Sequence, residues 1–416
     1  MSEALLSYED ALERALAASG APLPSEQVAL AEAAGRALAE DVIANIDLPP
    51  FDNSAVDGYA LHADDHAALA KRDALTLQIG AAIQAGDTTE SRVVPGTAIP
   101  VFTGAPVPAD TAAIVMWEDT ERNLNGAVRI REVSSAHSIR RAGSDLPRGT
   151  RALTAKSSID AGAIGLLASL NRETVTCTRQ PRIGILTTGN ELVPLGPGEL
   201  TPGQIRDSNG YALPAAVAEA GGEVTMRRHV RDDFDATRNA LLALAGECDL
   251  VLSAGGVSLG KGADFVGQTD HVTGALEAVG HLEFWKIAIK PGKPVAFGKI
   301  GNVPFFGLPG NPVSALVTFD LFVRPVLRKL GGYGQVLRPR IVVELAAPLS
   351  HRPGRREFAR GVLLTANDDG ILRAQPLGLQ ESHRLTSIAG ADILLIAHEA
   401  RGDYAAGEHI PALLLV

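Results

Sequence analysis

Two cysteines in 416 residues, Cys177 and Cys248, are too few for a disulfide framework and show no metal-ligand spacing. The ten histidines are scattered along the chain, which speaks against a dedicated zinc site. Aromatic residues make up only 4% of a chain whose apolar fraction, 46%, is that of a globular protein. No uninterrupted apolar run reaches membrane-spanning length, and MSEALLSYEDALERALA carries acids where a secretory leader carries bases. The net charge of −10 argues against nucleic acid as the main partner, leaving only a local basic cleft as a route to one. The expectation is a soluble cytoplasmic protein. At this length it is too large for one core and divides into two to four domains.

The richest stretch that remains is DLVLSAGGVSLGKGAD, Asp249 to Asp264. An apolar run reads as a buried strand and feeds into Gly255, Gly256, Gly260 and Gly262. The apolar pattern Phe265, Val266, Val272, Leu276, Val279 then predicts a helix. Strand, glycine loop and helix together present backbone N–H groups to an anion; a bare turn that needs φ > 0 is the plainer alternative. Gly255, Gly260 and Lys261 satisfy G-x-x-x-x-G-K, but Gly262 stands where a P-loop has Ser or Thr. The dinucleotide fingerprint G-x-G-x-x-G is absent from this loop.

The pattern of the chain changes along its length. Ser7 and Asp10 open a helix with Tyr8, Ala11, Leu12, Ala15 and Leu16 at helical spacing, and a second helix is expected from about Val28 to Val42. IDLPPFDNSAVDGYALHADD, from Ile46, reads as irregular. Short β-like runs from about Leu75 to Val133 predict a small all-β module. IDAGAIGLLASL, Ile159–Leu170, returns to helix and is expected to pack with the N-terminal helices. From Pro181 to about Leu330 strand and helix alternate, which predicts a doubly wound, largely parallel sheet with ligands outside its carboxyl ends. β-like runs return from Gly331, with NDDG (Asn367–Gly370) as a hairpin turn. The fold class is therefore multidomain α/β plus β. The expected divisions are a discontinuous helical domain (1–46 and 146–178), an inserted β module (47–145), an α/β domain (179–330) and a C-terminal β module (331–416).

Chemistry-bearing residues gather where the α/β strands should end: Thr188, Asn190 and Glu191 in TTGNEL, Asp232 and Asp233, Asp264, the lysines 286, 290 and 293 of WKIAIKPGKP, and GLPGNP. Singly, each has a bland reading as cap, turn or solvated side chain. Together they place carboxylates, lysines and glycine loops on one rim. That combination suits a Mg²⁺-assisted site for a phosphorylated or oxyanionic ligand.

PPFDNSAVDGYA, FTGAPVP, AGSD, TTGNEL, GQIRDSN, GGVSLGKGAD, FWKIAIKPGKP and GLPGNPVSA occur in this order. With them the chain resembles the molybdopterin molybdenumtransferase family, which includes the gephyrin E domain. The resemblance implies a molybdopterin-binding α/β domain and a reaction in which adenylylated molybdopterin, molybdate and Mg²⁺ give molybdenum cofactor and AMP. It implies an elongated homodimer of four-domain subunits, with the cleft shared between the α/β domain of one subunit and the β insertion of the other. Partners would be the adenylyltransferase upstream and apo-molybdoenzymes or their chaperones downstream.

By motif the resemblance implies functional roles for Asp57, Asp145, Glu191, Asp232, Asp264, Lys286 and Lys290. Substrate contacts would fall to Thr103, Gly255, Gly256, Ser258, Pro309, Gly310, Asn311 and Ser382, and Mg²⁺ to Asp232 and Asp264. Ser258 could equally cap the helix. Where the family has a glycine before Ser382, this chain has Glu381, an added negative charge near an anionic substrate. A molybdopterin-binding scaffold without chemistry and a tungstate-selective paralogue are the alternative readings.

Overall fold

The structure is a computed structural model that describes residues 5–88, 90–122, 125–131, 138–257, 271–364 and 370–415. The chain forms two compact units. One comprises residues 1–40, 155–160 and 174–416; the other comprises 41–154 and 161–173.

The larger unit is built on a six-stranded sheet. Its order is Glu223–Val230, Arg182–Thr188, Leu250–Ala254, Val303–Leu308, Ala296–Ile300, His281–Trp285. The first four strands run parallel, and Ala296–Ile300 runs antiparallel to both its neighbours, Val303–Leu308 and His281–Trp285. Arg182–Thr188 and Leu250–Ala254 are buried almost throughout, as expected for central strands covered on both faces. One face is covered by the helix Asn209–Glu219, by Pro312–Leu330 and by the N-terminal helix Tyr8–Ala18. The other is covered by Phe234–Glu247 and His271–Val279. Phe305 and Phe306, adjacent on one strand, point to opposite faces and are fully buried, each stabilising its layer by roughly 1.5–3 kcal/mol.

The C-terminal strands Arg340–Leu345, Arg356–Leu363, Arg373–Pro376, Ile393–Ala397 and His409–Leu414 close on themselves through the additional pairing of Arg356–Leu363 with Ile393–Ala397. A short strand of the α/β domain, Ile289–Lys290, adds to this barrel beside Arg356–Glu357. Tyr8 packs edge-on against both Phe322 and Phe358, so the N-terminal helix seals the α/β layer to the barrel.

The smaller unit holds a six-stranded sheet in the order 111–116, 58–62, 97–101, 75–79, 127–130, 120–122, with helices Ala63–Leu69 and Ala161–Ser169.

Three expectations differ from this. Residues 28–42 form no α-helix, only a single 3-10 turn at Leu30–Glu32: Ser25–Ala29 pairs antiparallel with Thr174–Thr178, and strand pairing overrides the Ala/Glu-rich propensity. Gly58–His62 is a central strand, where an irregular segment was expected. The N-terminal helix packs on Pro312–Leu330, in the larger unit, while Ala161–Ser169 belongs to the smaller one. The NDDG turn lies mostly outside the described residues.

Candidate functional site

The carboxyl ends of the parallel strands open onto a cleft of 1880 Å³ whose opposite wall is the C-terminal barrel. Glu191, Asp232, Lys290, Gly255, Gly256, Pro309, Gly310, Asn311 and Ser382 all line it. These residues come from six separate stretches of sequence, four of them brought together by parallel strands that end on one side.

Several are held by their neighbours. The Thr188 hydroxyl donates to Asp232 Oδ1 at 2.8 Å, and the Asn190 N–H donates to Oδ2 at 3.3 Å. Asp207, also in the cleft, accepts from the Thr187 hydroxyl (3.0 Å) and the Gly210 N–H (2.8 Å). Asn209 donates to Gly310 O at 2.8 Å, and Asn311 donates to Ser382 Oγ at 3.0 Å, tying the GLPGNP loop to the helix before it and the barrel beyond. Gly255 has φ +96°, and a Cβ there would lie 2.7 Å from Thr188 O. Its N–H donates to Leu308 O at 3.1 Å, so this amide is spent inside the sheet end and is not offered to a ligand.

The cleft divides chemically by origin. Glu191 and Asp232 come from the α/β strand ends and Asp207 from the turn before the helix Asn209–Glu219; Lys290 and Lys293 from the segment that joins the barrel; Arg352, Arg355 and Ser382 from the barrel. Among the described residues no three of His, Cys, Asp and Glu converge as a metal cage. A lysine and arginine wall beside isolated carboxylates suits phosphate or oxyanion groups, with a hard cation bridging.

Other expected residues sit elsewhere. Lys286 is not in the cleft lining: its ammonium lies 3.5 Å from the Trp285 ring centroid, and burial together with nearby Lys293 lowers its pKa. Asp57, Thr103 and Asp145 belong to the smaller unit. There Asp57 Oδ1 accepts from the Thr103 N–H (2.7 Å) and hydroxyl (2.9 Å), which hold its exposed carboxyl below the usual range. Asp145 is exposed, and its N–H donates to Leu48 O at 3.0 Å. Ser258 and Asp264 lie outside the described residues. Glu381 lines the cleft, but Arg384 Nε donates to its carboxylate at 2.8 Å and lowers its pKa.

Arg352 and Arg355 escaped the sequence reading because no local pattern marks them; they reach the cleft only through barrel closure. Asp207 sits inside GQIRDSN and could have been taken from that motif.

A doubly wound α/β domain with such a cleft at its strand ends defines a ligand-binding class. Residues 184–329 match the family model described as a probable molybdopterin binding domain. Residues 6–171 match the MoeA N-terminal region (domain I and II), and 342–415 the MoeA C-terminal region (domain IV). The chain is 36% identical to the molybdopterin molybdenumtransferase of Haemophilus influenzae over 98% of both chains. It is 31% identical to that of Bacillus subtilis, covering 94% of this chain and 90% of the other. A crystal structure of a moeA protein from Pyrococcus horikoshii covers 99% of this chain and all of the other, with a TM-score of 0.80 at 28% identity. The chain belongs to the MoeA family of molybdopterin molybdenumtransferases, and it is a transferase.

Proposed function

We infer that this chain inserts molybdenum into adenylylated molybdopterin, taking molybdate as the oxyanion and releasing AMP. The observation that supports this most is the cleft itself. It sets Lys290, Lys293, Arg352 and Arg355 in the same cavity as Asp232, Asp207 and Glu191. Fixed cations lower the cost of bringing molybdate and a pyrophosphate linkage into one site, where like charges would otherwise repel. Lys290, Lys293 and Arg355 hold the anionic groups, and Ser382 donates from the barrel wall. Gly256, Pro309 and Gly310 lend a side-chain-poor floor against which a flat heterocycle packs.

Mg²⁺ fits these residues. It binds through one or two carboxylates together with phosphate oxygens and keeps several waters, so a closed protein cage is not required. Asp232 would hold it with the substrate's own oxygens, and Asp264, by motif, is the second candidate. When bound, it neutralises phosphate charge at the adenylyl linkage. Asp57, Thr103 and Asp145 keep their assignment to the reaction by the motifs that carry them. The working form on this reading is a homodimer, with hand-off to the adenylyltransferase upstream and to apo-molybdoenzymes or their chaperones downstream.

The test is direct: purified protein, adenylylated molybdopterin, molybdate and Mg²⁺, with AMP followed over time. Molybdate-dependent AMP release is the expected result. Tight binding without AMP release reduces the chain to a scaffold, and faster release with tungstate reassigns its oxyanion.

A further inference from the structure

Lys290 reaches the cleft from a two-residue strand, and the register of that strand sets it beside Glu357. Its ammonium lies 2.8 Å from Glu357 Oε1. The other carboxylate oxygen, Oε2, lies 2.8 Å from His351 Nδ1, and His351 Nε2 lies 3.1 Å from His398 O. The Lys290 side chain is 42% exposed, while those of Glu357 and His351 are each 1% exposed. The visible end of this chain is therefore in the cleft and the rest is inside the barrel.

The hydrogen bonds fix a proton count. A backbone carbonyl only accepts, so Nε2 carries a proton. The Nδ1–Oε2 contact needs one more proton, on the ring or on the carboxyl. In either placement the buried His351–Glu357 pair has no net charge, and the unit charge of Lys290 is left uncompensated. Without that second proton Glu357 would cancel Lys290. Arg360, fully buried on the same strand, bonds neutral oxygens of Ser387 and Glu381 and attracts Glu357 through its charge alone, a further cation on the barrel side that leaves Lys290 no less positive.

We propose that His351 and Glu357 are positioning residues for Lys290: Glu357 fixes the ammonium at the cleft wall, and the proton shared with His351 keeps that ammonium electrically available to an anionic substrate. In its kinetic arm this rests on the molybdate reading above; its structural arm does not.

The structural arm uses wild-type protein labelled with ¹⁵N-histidine and ¹³C-glutamate, assigned with whichever of His351→Gln and His351→Asn folds. The spectra are expected to show either a doubly protonated His351 ring or a protonated Glu357 carboxyl, as the 2.8 Å Nδ1–Oε2 contact requires. A neutral ring beside an ionised Glu357 overturns the proposal. The kinetic arm compares His351→Gln with His351→Gln/Glu357→Gln in AMP release. The single variant raises KM for molybdate about tenfold with kcat within about twofold, because an ionised Glu357 now cancels Lys290. The double variant, lacking that carboxylate, returns KM to within about threefold of wild type. A merely structural His351 gives a double variant no better than the single one, and that result also overturns the proposal. Absence of molybdate-dependent AMP release in wild type defeats the functional reading instead, and the labelled spectra still decide the proton count.

Discussion

Thr188 and Asp232 stand at the ends of neighbouring parallel strands, and the Thr188 hydroxyl donates to Asp232 Oδ1 at 2.8 Å. The hydroxyl fixes one oxygen and Asn190 the other, so the carboxylate is held in one orientation toward the cleft rim. On the proposed function, orientation is what Mg²⁺ and phosphate positioning need. Asp232→Asn keeps the shape and removes the charge, and AMP release is expected to fall by at least about a hundredfold. Thr188→Val removes only the donor, and a loss of about tenfold is expected. Thermal midpoints within a few degrees of wild type would assign both losses to the site.

Gly255→Ala tests the same rim from the backbone. The φ of +96° lies where L side chains are rare, and the added Cβ would meet Thr188 O at 2.7 Å. That oxygen is main chain in a central strand and cannot swing away. The strain is of the order of 1–3 kcal/mol and falls on the strand that carries Thr188. Lower thermal stability together with lost activity is expected; Gly301→Ala, in a turn with open space around it, serves as the control for φ alone.

The α/β sheet was legible because its strands are short apolar runs separated by turn residues, and burial on both faces leaves no polar alternation to obscure them. Gly58–His62 was hidden: its neighbours are rich in Pro, Asp and Asn, and Gly58 is there because Val115 O leaves no room for a Cβ. Glu191, Asp232, Lys290 and Ser382 were legible as cleft residues because each stands in a motif at an element end. Glu357 and His351 were not. They act on Lys290 through strand register across distant sequence, and no local pattern encodes that pairing.

Glu381 stands where the family's glycine was expected, yet its charge is already engaged by Arg384 Nε at 2.8 Å. The hydrogen bond from Arg384 holds the Glu381 carboxyl below its usual range, so at neutral pH the pair is a compensated surface ion pair. Glu381→Gly is therefore expected to change KM for molybdate by less than about threefold. Arg384→Ala frees the carboxylate beside Ser382 and is expected to raise that KM by more than Glu381→Gly does. The reverse order in steady-state assays would show that Glu381 itself repels the substrate.

At the opposite end of the sheet, Asp249 accepts from both terminal nitrogens of Arg179, at 2.9 and 2.8 Å, and from the Arg182 N–H at 2.7 Å. Burial alone would raise the Asp249 pKa, but the Arg179 and Arg182 hydrogen bonds outweigh it and leave the carboxyl below its usual value. A carboxyl depressed in the folded state binds its proton more readily in the unfolded chain. Its stabilisation is thus present above the unfolded value of about 3.9 and is lost as pH falls through the lower folded value. Asp249→Asn should reduce stability at neutral pH by about 1–3 kcal/mol. The gap between wild-type and variant thermal midpoints should then narrow as the pH is lowered below about 4, where the unfolded carboxylate begins to protonate. A gap that stays constant across that range would place the effect in packing and not in the charge of Asp249.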